Sequence, residues 1–434
     1  MNPTPTSIRI RPRLGARSSF AVVASLIGLA LFASSTPSPM YGLYQQEWHF
    51  STPVLTLVYA VYAFGVLGAL LLVGRVSDDV GRRPVLAVSL GGLFGAGILF
   101  ALAHSVGWLF AARALQGVTT GAVLGAAGAA LLDLHPRGDG AHAGLINGVA
   151  SAGGLGLGAL VASVLSQYVA DPLVVPFLVL LGLIAVAFAL TLALPEPVAQ
   201  RTRPSLRPQR PHVPATARRA FLLAGLGVLS SWSIGGLYLA LGPTLVSELL
   251  HSTNRMAGGA AVLALTIPAS LSQLVWNKLE PRRAAAVGSA TLGVGMALTL
   301  ASLSTGSAVL FLIPTAITGA GFGLAFLGAL RSLTAAIPER QRAEVMSAFY
   351  IVAYLSLSLP AVGAGLAVPA LGLEPTFRIF SAAVVVLALG LSVTLARTPS
   401  AERSGSGGRA RFLPPSPIRA RAGSARAAEP PPRS

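Results

Sequence analysis

The 434-residue chain contains no cysteine, which excludes disulfides, thiolate metal sites and cysteine nucleophiles at once. Charge is scarce as well. Charged residues make up 10% of the chain, against about a quarter in an ordinary soluble domain. No Gly-x-x-x-x-Gly-Lys-Ser/Thr loop occurs, so direct nucleotide drive within this chain is not expected. Carboxylates fall at the ends of apolar runs, in loops or in tails. His49, His104 and His251 stand near one set of run ends, and His135, His142 and His212 near the other. A membrane enzyme would need such groups to converge, so no catalytic residue, metal site or cofactor is expected.

What is present is apolar: 53% of residues are hydrophobic. A membrane-spanning helix needs about 20 mostly apolar residues. Such runs occupy 20–44, 53–74, 84–104, 107–133, 143–168, 172–194, 220–247, 257–278, 284–303, 307–335, 345–368 and 375–396. Barrel strands would be about half as long and would alternate polar with apolar. The fold class is therefore an all-α membrane protein of about twelve transmembrane helices.

The formal net charge of +17 invites a nucleic-acid partner, and its distribution argues against one. With the N-terminus in the cytoplasm, Arg9, Arg11, Arg13, Arg17, Arg75, Arg82, Arg83 and Arg137 fall on the inner side. So do the arginines of 201–219, Lys278, Arg282, Arg283, Arg331, Arg340 and Arg342, and those of 397–434. Only Arg255 and Arg378 fall on the other side. This positive-inside bias places both termini in the cytoplasm of an inner-membrane, multi-pass protein. The first apolar run is longer than expected of a cleaved signal peptide and continues through Ser34–Tyr44 without an obvious small-x-small cleavage site.

Residues 195–219 are rich in proline and arginine and read as a flexible linker between two six-helix halves, 20–194 and 220–396. The halves share landmarks: Gly117, Gly121 and Pro136 parallel Gly319, Gly323 and Pro338, and Arg82-Arg83 parallels Arg282-Arg283. Parallel repeats of this kind occur in transporters that bind substrate between two rocking halves; shared membrane-helix composition is the alternative. Residues 1–19 form a short cytoplasmic lead. The Ser/Gly/Pro/Arg-rich tail, 397–434, reads as disordered, solvated or touching anionic headgroups.

After the second run comes Gly74-Arg75-Val76-Ser77-Asp78-Asp79-Val80-Gly81-Arg82-Arg83. In the fourth, Arg113-x-x-Gln116-Gly117 follows Leu109. The first resembles the loop signature of the major facilitator superfamily, and the second its R-x-x-q-G signature. Asp79 departs from the usual basic residue, and the mirrored loop is degraded at Lys278 and Pro281. Gly74 and Gly81 suit close helix approach and a tight turn. The resemblance implies a pseudo-symmetric twelve-helix fold. It also implies that Asp78 engages the start of the eleventh helix, near 342–345, as a gate latch. Arg82 and Arg83 would extend that latch, with Asp133 as a candidate partner; simple topology anchoring is the alternative. The run from Gly144 to Gly158 resembles the family's glycine-rich antiporter motif only in worn form, and packing glycines are the better reading.

Arg113 is the charge placed well inside a span, about 10 Å below the outer surface. An intramembrane arginine is costly to bury and marks a functional candidate. At similar depth Pro37 and Pro39 free the carbonyls of Ala33 and Ser35, so Arg113 is expected to donate to that stretch, to Tyr41 or to Tyr44. A structural strut, contact with a substrate anion and a proton-linked role remain open for it. Mid-depth polar and aromatic residues supply the candidate cavity: Ser34, Ser35, Thr36, Tyr41, Tyr59, Tyr62 and Asn147, with Ser230, Ser231, Trp232, Gln273, Trp276, Tyr350 and Tyr354. They suit a lipophilic or amphipathic small molecule. The resulting expectation is a monomeric secondary transporter exporting small organic solutes by alternating access, with possible proton coupling. Metabolite uptake and a non-transporting sensor on the same scaffold are the alternatives.

Overall fold

The computed structural model describes residues 14–198, 201–203, 211–249, 254–305, 307–338 and 341–397, and every regular element among them is helical. Twelve helices among the described residues are long and apolar enough to cross a membrane. The expected tail falls almost wholly outside the described residues.

The first span is α1 (Ala16–Ser35), a 3-10 turn (Ser38–Met40) and α2 (Tyr41–Trp48). It is followed by α3 (Thr52–Val80), α4 (Arg82–Ala101), α5 (Val106–Asp133), α6 (Gly140–Tyr168) and α7 (Val175–Leu192). The second set starts with a 3-10 turn at Ala215–Ala217, then α8 (Arg218–Ala240) and a short α9 (Gly242–Leu249). It continues through α10 (Met256–Val275), α11 (Pro281–Ser302), α12 (Ala308–Ala335), α13 (Arg342–Leu371) and α14 (Leu373–Arg397).

Three boundaries differ from the sequence expectation, each for a local reason. The first span breaks, because Pro37 and Pro39 cannot donate to the preceding turn. The seventh run, 220–247, is not one helix: it stops at Ala240, and Gly242-Pro243 opens α9. The signature after the second run is mostly helix rather than loop, since α3 runs to Val80 and Gly81 alone separates it from α4.

Within the first set, α5 packs on α3 and α4, and α1 on α5 and α6; within the second, α12 packs on α10 and α11, and α8 on α13. The two sets meet mainly along α6–α10 and α3–α13, and at one end the first-span 3-10 turn and α2 touch α9. Small residues make these seams possible. A Cβ on Gly117 would collide with the Tyr62 carbonyl of α3, and on Gly154 or Gly158 with carbonyls of α1. Gly144, by contrast, faces open space and contributes no such seam. Apolar side chains such as Val88, Leu222 and Val386 stay exposed on the outward faces, where lipid is the natural solvent.

Candidate functional site

The α3–α4 junction is a polar knot built around one glycine. Gly81 adopts φ +114°, a region that L side chains avoid, and this reverses the chain within one residue. The turn brings the Arg82 guanidinium back against the Asp78 carboxylate and 2.7 Å from the Ser77 hydroxyl. Its Nε also donates to Asp133 Oδ2 at the end of α5, over 3.1 Å. Arg82 thus bridges two helices through two carboxylates.

Among the described residues, no hydrogen bond or ion pair joins Asp78 to the start of α13. Asp78 pairs with Arg82 four residues on, and its side chain is 58% exposed. The physical reason is the Gly81 reversal, which puts a guanidinium next to that carboxylate. Arg83 enters the knot through its backbone amide. Gly74 lies within α3, and its side-chain environment falls outside the described residues.

The linker is the component that sequence reasoning missed. It was expected to be irregular and flexible, yet residues 196–203 fold back onto the junction where they are described. The Glu196 carboxylate accepts from the amides of Arg82 (2.9 Å) and Arg83 (3.0 Å) at the start of α4, and from its own Val198 amide (3.1 Å). Those first-turn amides have no partner inside the helix, so a remote acid caps α4. Thr202 ties the same strap to α3: its amide donates to the Asp79 carbonyl (2.8 Å) and its hydroxyl to Asp79 Oδ1 (2.9 Å). Asp79, the departure from the family pattern, therefore serves as the linker's docking point. The available signal was that Glu196 is the only acid in 195–219.

Arg113 forms a second centre and is fully buried. Its Nε donates to the Tyr41 hydroxyl (2.7 Å), and its Nη1 to the Ser34 carbonyl (2.8 Å) and Gln116 Oε1 (2.7 Å). Gln116 in turn donates to the Ala33 carbonyl over 2.8 Å. Arg113 and Gln116 together cap the carbonyls left open where α1 stops before Pro37. Of the two carbonyls expected to be free, Ala33 is taken by Gln116, while Arg113 itself takes the Ser34 carbonyl instead of that of Ser35. The rings of Tyr62 (5.2 Å), Tyr41 (5.4 Å) and Phe100 (5.8 Å) surround the guanidinium, supplying the negative faces that a buried cation favours. Among the described residues no carboxylate pairs with it. Its Nη2 and the hydroxyls of Tyr44 and Tyr59 are buried without hydrogen-bond partners among the described residues.

The remaining cavity candidates divide into groups. Tyr62 and Tyr354 pack together, with Trp232 and Tyr350 against them, where α3, α8 and α13 meet. Trp232 meets Tyr354 edge-on at 5.3 Å and lies 5.5 Å from Phe326 of α12. Ser35 and Ser231 spend their hydroxyls on their own helices. Gln273 is buried against Gly148 on the α6–α10 seam and bonds back to the Ala269 carbonyl; Asn147, beside that glycine in sequence, is half-buried. Trp276 is not a mid-depth residue: it caps the end of α10 and is 47% exposed, because the helix ends at Val275.

Comparison with known proteins agrees with this architecture. Residues 23–359 match the family model of the Major Facilitator Superfamily. An uncharacterised MFS-type transporter of Burkholderia mallei is 28% identical over 414 residues, covering 90% of this chain and 96% of the relative. A puromycin resistance protein of Streptomyces alboniger is 39% identical over 112 residues, 26% of this chain and 22% of that protein. A triacylglyceride transporter of Mycobacterium tuberculosis is 32% identical over 146 residues, 33% of this chain and 26% of that protein. These last two matches thus span about a quarter of the relatives' own lengths. The human organic anion transporter MFSD10 superposes with a TM-score of 0.64 at 20% identity, covering 87% of this chain and all of that one, which shows a shared fold. With twelve apolar helices in this arrangement and a family model matched across most of its length, the chain belongs to the Major Facilitator Superfamily and is a multi-pass membrane protein.

Proposed function

We propose that the protein is a secondary exporter of small organic solutes that works by alternating access, with both termini in the cytoplasm and the α3–α4 junction at the cytoplasmic face. The observation that carries this reading is the seam between the two helix sets. They meet along α6–α10 and α3–α13 through small or short side chains: Gly156 against Thr266, Gly259 against Ser163, Gly365 against Thr56. Such a seam lets two rigid bundles rock while their internal packing persists. The aromatic group of Tyr62, Trp232 and Tyr354 spans both sets, where a solute passing between them would be held. Export is favoured over uptake by the relative named for puromycin resistance.

Purified protein in liposomes should drive counterflow of a labelled solute, with puromycin the first to try. If no member of a broad panel of organic solutes moves faster than in empty liposomes, the transport reading fails. Orientation is tested separately. A tag inserted near Pro208 should be reachable only from the cytoplasm, and a periplasmic signal there would reverse the assignment.

A further inference from the structure

At the end of the molecule opposite the α3–α4 junction, two short helices face one another, and both follow a break. α2 continues the first span beyond Pro37, and α9 follows the seventh beyond Leu241. Each is two-faced. On α2, Tyr41 and Tyr44 turn inward and are buried, while Gly42, Gln45 and Gln46, at i, i+3 and i+4, share another face. On α9, Leu245 and Val246 are buried, while Thr244, Ser247 and Glu248 repeat the same spacing. Both polar faces line one cavity of about 640 Å³, closed on a third side by Asn254, Arg255 and Gly258 at the start of α10.

The two charged groups that line this cavity are not paired with each other. Arg255 lines it, yet its guanidinium is committed to the Ser166 carbonyl (2.5 Å) and its amide to Gln167 Oε1 (2.9 Å) of α6. Glu248 is the one acid among the described lining residues, and none of the ion pairs or hydrogen bonds of the described residues involves its carboxylate. It stands at the rim, exposed along one side and desolvated along the other. That desolvation pushes its carboxyl above the usual range, as expected of an acid that has lost water without gaining a cation. Around it the walls offer amide and hydroxyl groups from Gln45, Gln46, Thr244 and Ser247.

We infer that this cavity is a binding site for a small organic cation, with Glu248 as counter-ion and the amide and hydroxyl groups of α2 and α9 as hydrogen-bonding walls. Because one wall belongs to each helix set, an occupant bridges the two sets at this end and stabilises their approach. The volume suits a drug-sized molecule. A flat cation carrying amino donors matches both the acid and the amide acceptors. Binding here does not depend on the proposed export; only the step from binding to movement rests on that reading.

The test uses ethidium, a permanent organic cation with two amino groups, and the full-length protein in detergent or nanodiscs. Titration followed by ethidium fluorescence should saturate. Glu248→Gln should weaken binding about tenfold or more, since the charge partner is lost, and Glu248→Asp should recover part of it. Tryptophan-fluorescence melting of each variant guards against a folding artefact. In this cysteine-free chain, Ser247→Cys gives an independent readout: saturating ethidium should protect the thiol from maleimide. The inference is overturned if the parent shows no saturable binding, if Glu248→Gln binds like the parent, or if Ser247→Cys remains equally reactive. Counterflow of other solutes by a parent that fails these tests would leave the transporter reading intact and remove only this site.

Discussion

Removing the Glu196 carboxylate should open the first turn of α4 without unfolding the rest of the molecule. The side chain is only 14% exposed and accepts three backbone amides, two of them from Arg82 and Arg83 at the helix start. Loss of a capping acceptor costs about 0.5–2 kcal/mol. Loss of a negative charge facing a helix N-terminus costs about 0.3–1 kcal/mol more. Glu196→Ala therefore removes about 2 kcal/mol locally, equivalent to about thirtyfold faster amide exchange through local opening. Glu196→Gln keeps one acceptor oxygen and loses the charge, so about 1 kcal/mol and about fivefold are expected. Hydrogen exchange read on peptides covering 81–86 measures this directly, with peptides from the middle of α4 as the internal reference. The Thr202 contacts to Asp79 depend on the same strap, so peptides covering 76–80 should also lose protection, by less. Unchanged exchange at 81–86 in Glu196→Ala would refute the idea that the linker caps α4.

The other predictions concern neighbouring groups. Gly81→Ala should cost about 1–3 kcal/mol from its backbone conformation alone, φ +114° and ψ 152°, a region open essentially to glycine. Its Cβ would also stand 2.6 Å from Glu196 Oε2, so the double variant with Glu196→Ala should melt higher than the sum of the single losses implies, and simple additivity would refute the collision. Asp78→Asn should leave stability within about 0.5 kcal/mol, because an exposed ion pair is worth little, yet change maleimide access to single cysteines placed at that end; unchanged access with unchanged transport would reduce Asp78 to a topology anchor. Arg113→Lys keeps the charge but cannot serve Tyr41, Ser34 and Gln116 with one planar fork, so counterflow should fall while expression holds, and full activity would make the fork dispensable. Asp139 caps α6 through the amides of His142 and Ala141, which hold its carboxyl below its usual range. Its stabilising effect is therefore complete at neutral pH and lost only as pH falls through that lowered value; an Asp139→Asn variant with the same acid-side exchange profile in α6 as the parent would refute it.

Spans were legible in the sequence because a bilayer imposes one length and one polarity on every crossing helix, whatever its neighbours. The breaks at Pro37 and at Gly242-Pro243 belong to another class of information. Both carry local signals, yet 220–247 reads as one continuous apolar run, and hydropathy does not register where a helix stops and a new one begins. Trp276 was misplaced for the same reason: the apolar average passes smoothly through the end of α10 at Val275.

Contacts between distant segments were legible only where chemistry left few choices. A buried guanidinium must find acceptors, and a proline-broken helix must shed carbonyls, so Arg113 and the end of α1 could be brought together from the sequence alone. The linker offered no such constraint. A Pro- and Arg-rich stretch looks unstructured by composition, and its one acid carries no spacing that points to α4 more than 110 residues earlier. The junction nevertheless holds the clue in Asp79. A basic residue there would repel the arginines of the strap and could not accept the Thr202 hydroxyl as the Asp79 carboxylate does; the bond from the Thr202 amide to the residue-79 carbonyl is backbone and would be open to any residue. The residue that departs from the family signature is thus the one whose side chain holds the linker in place.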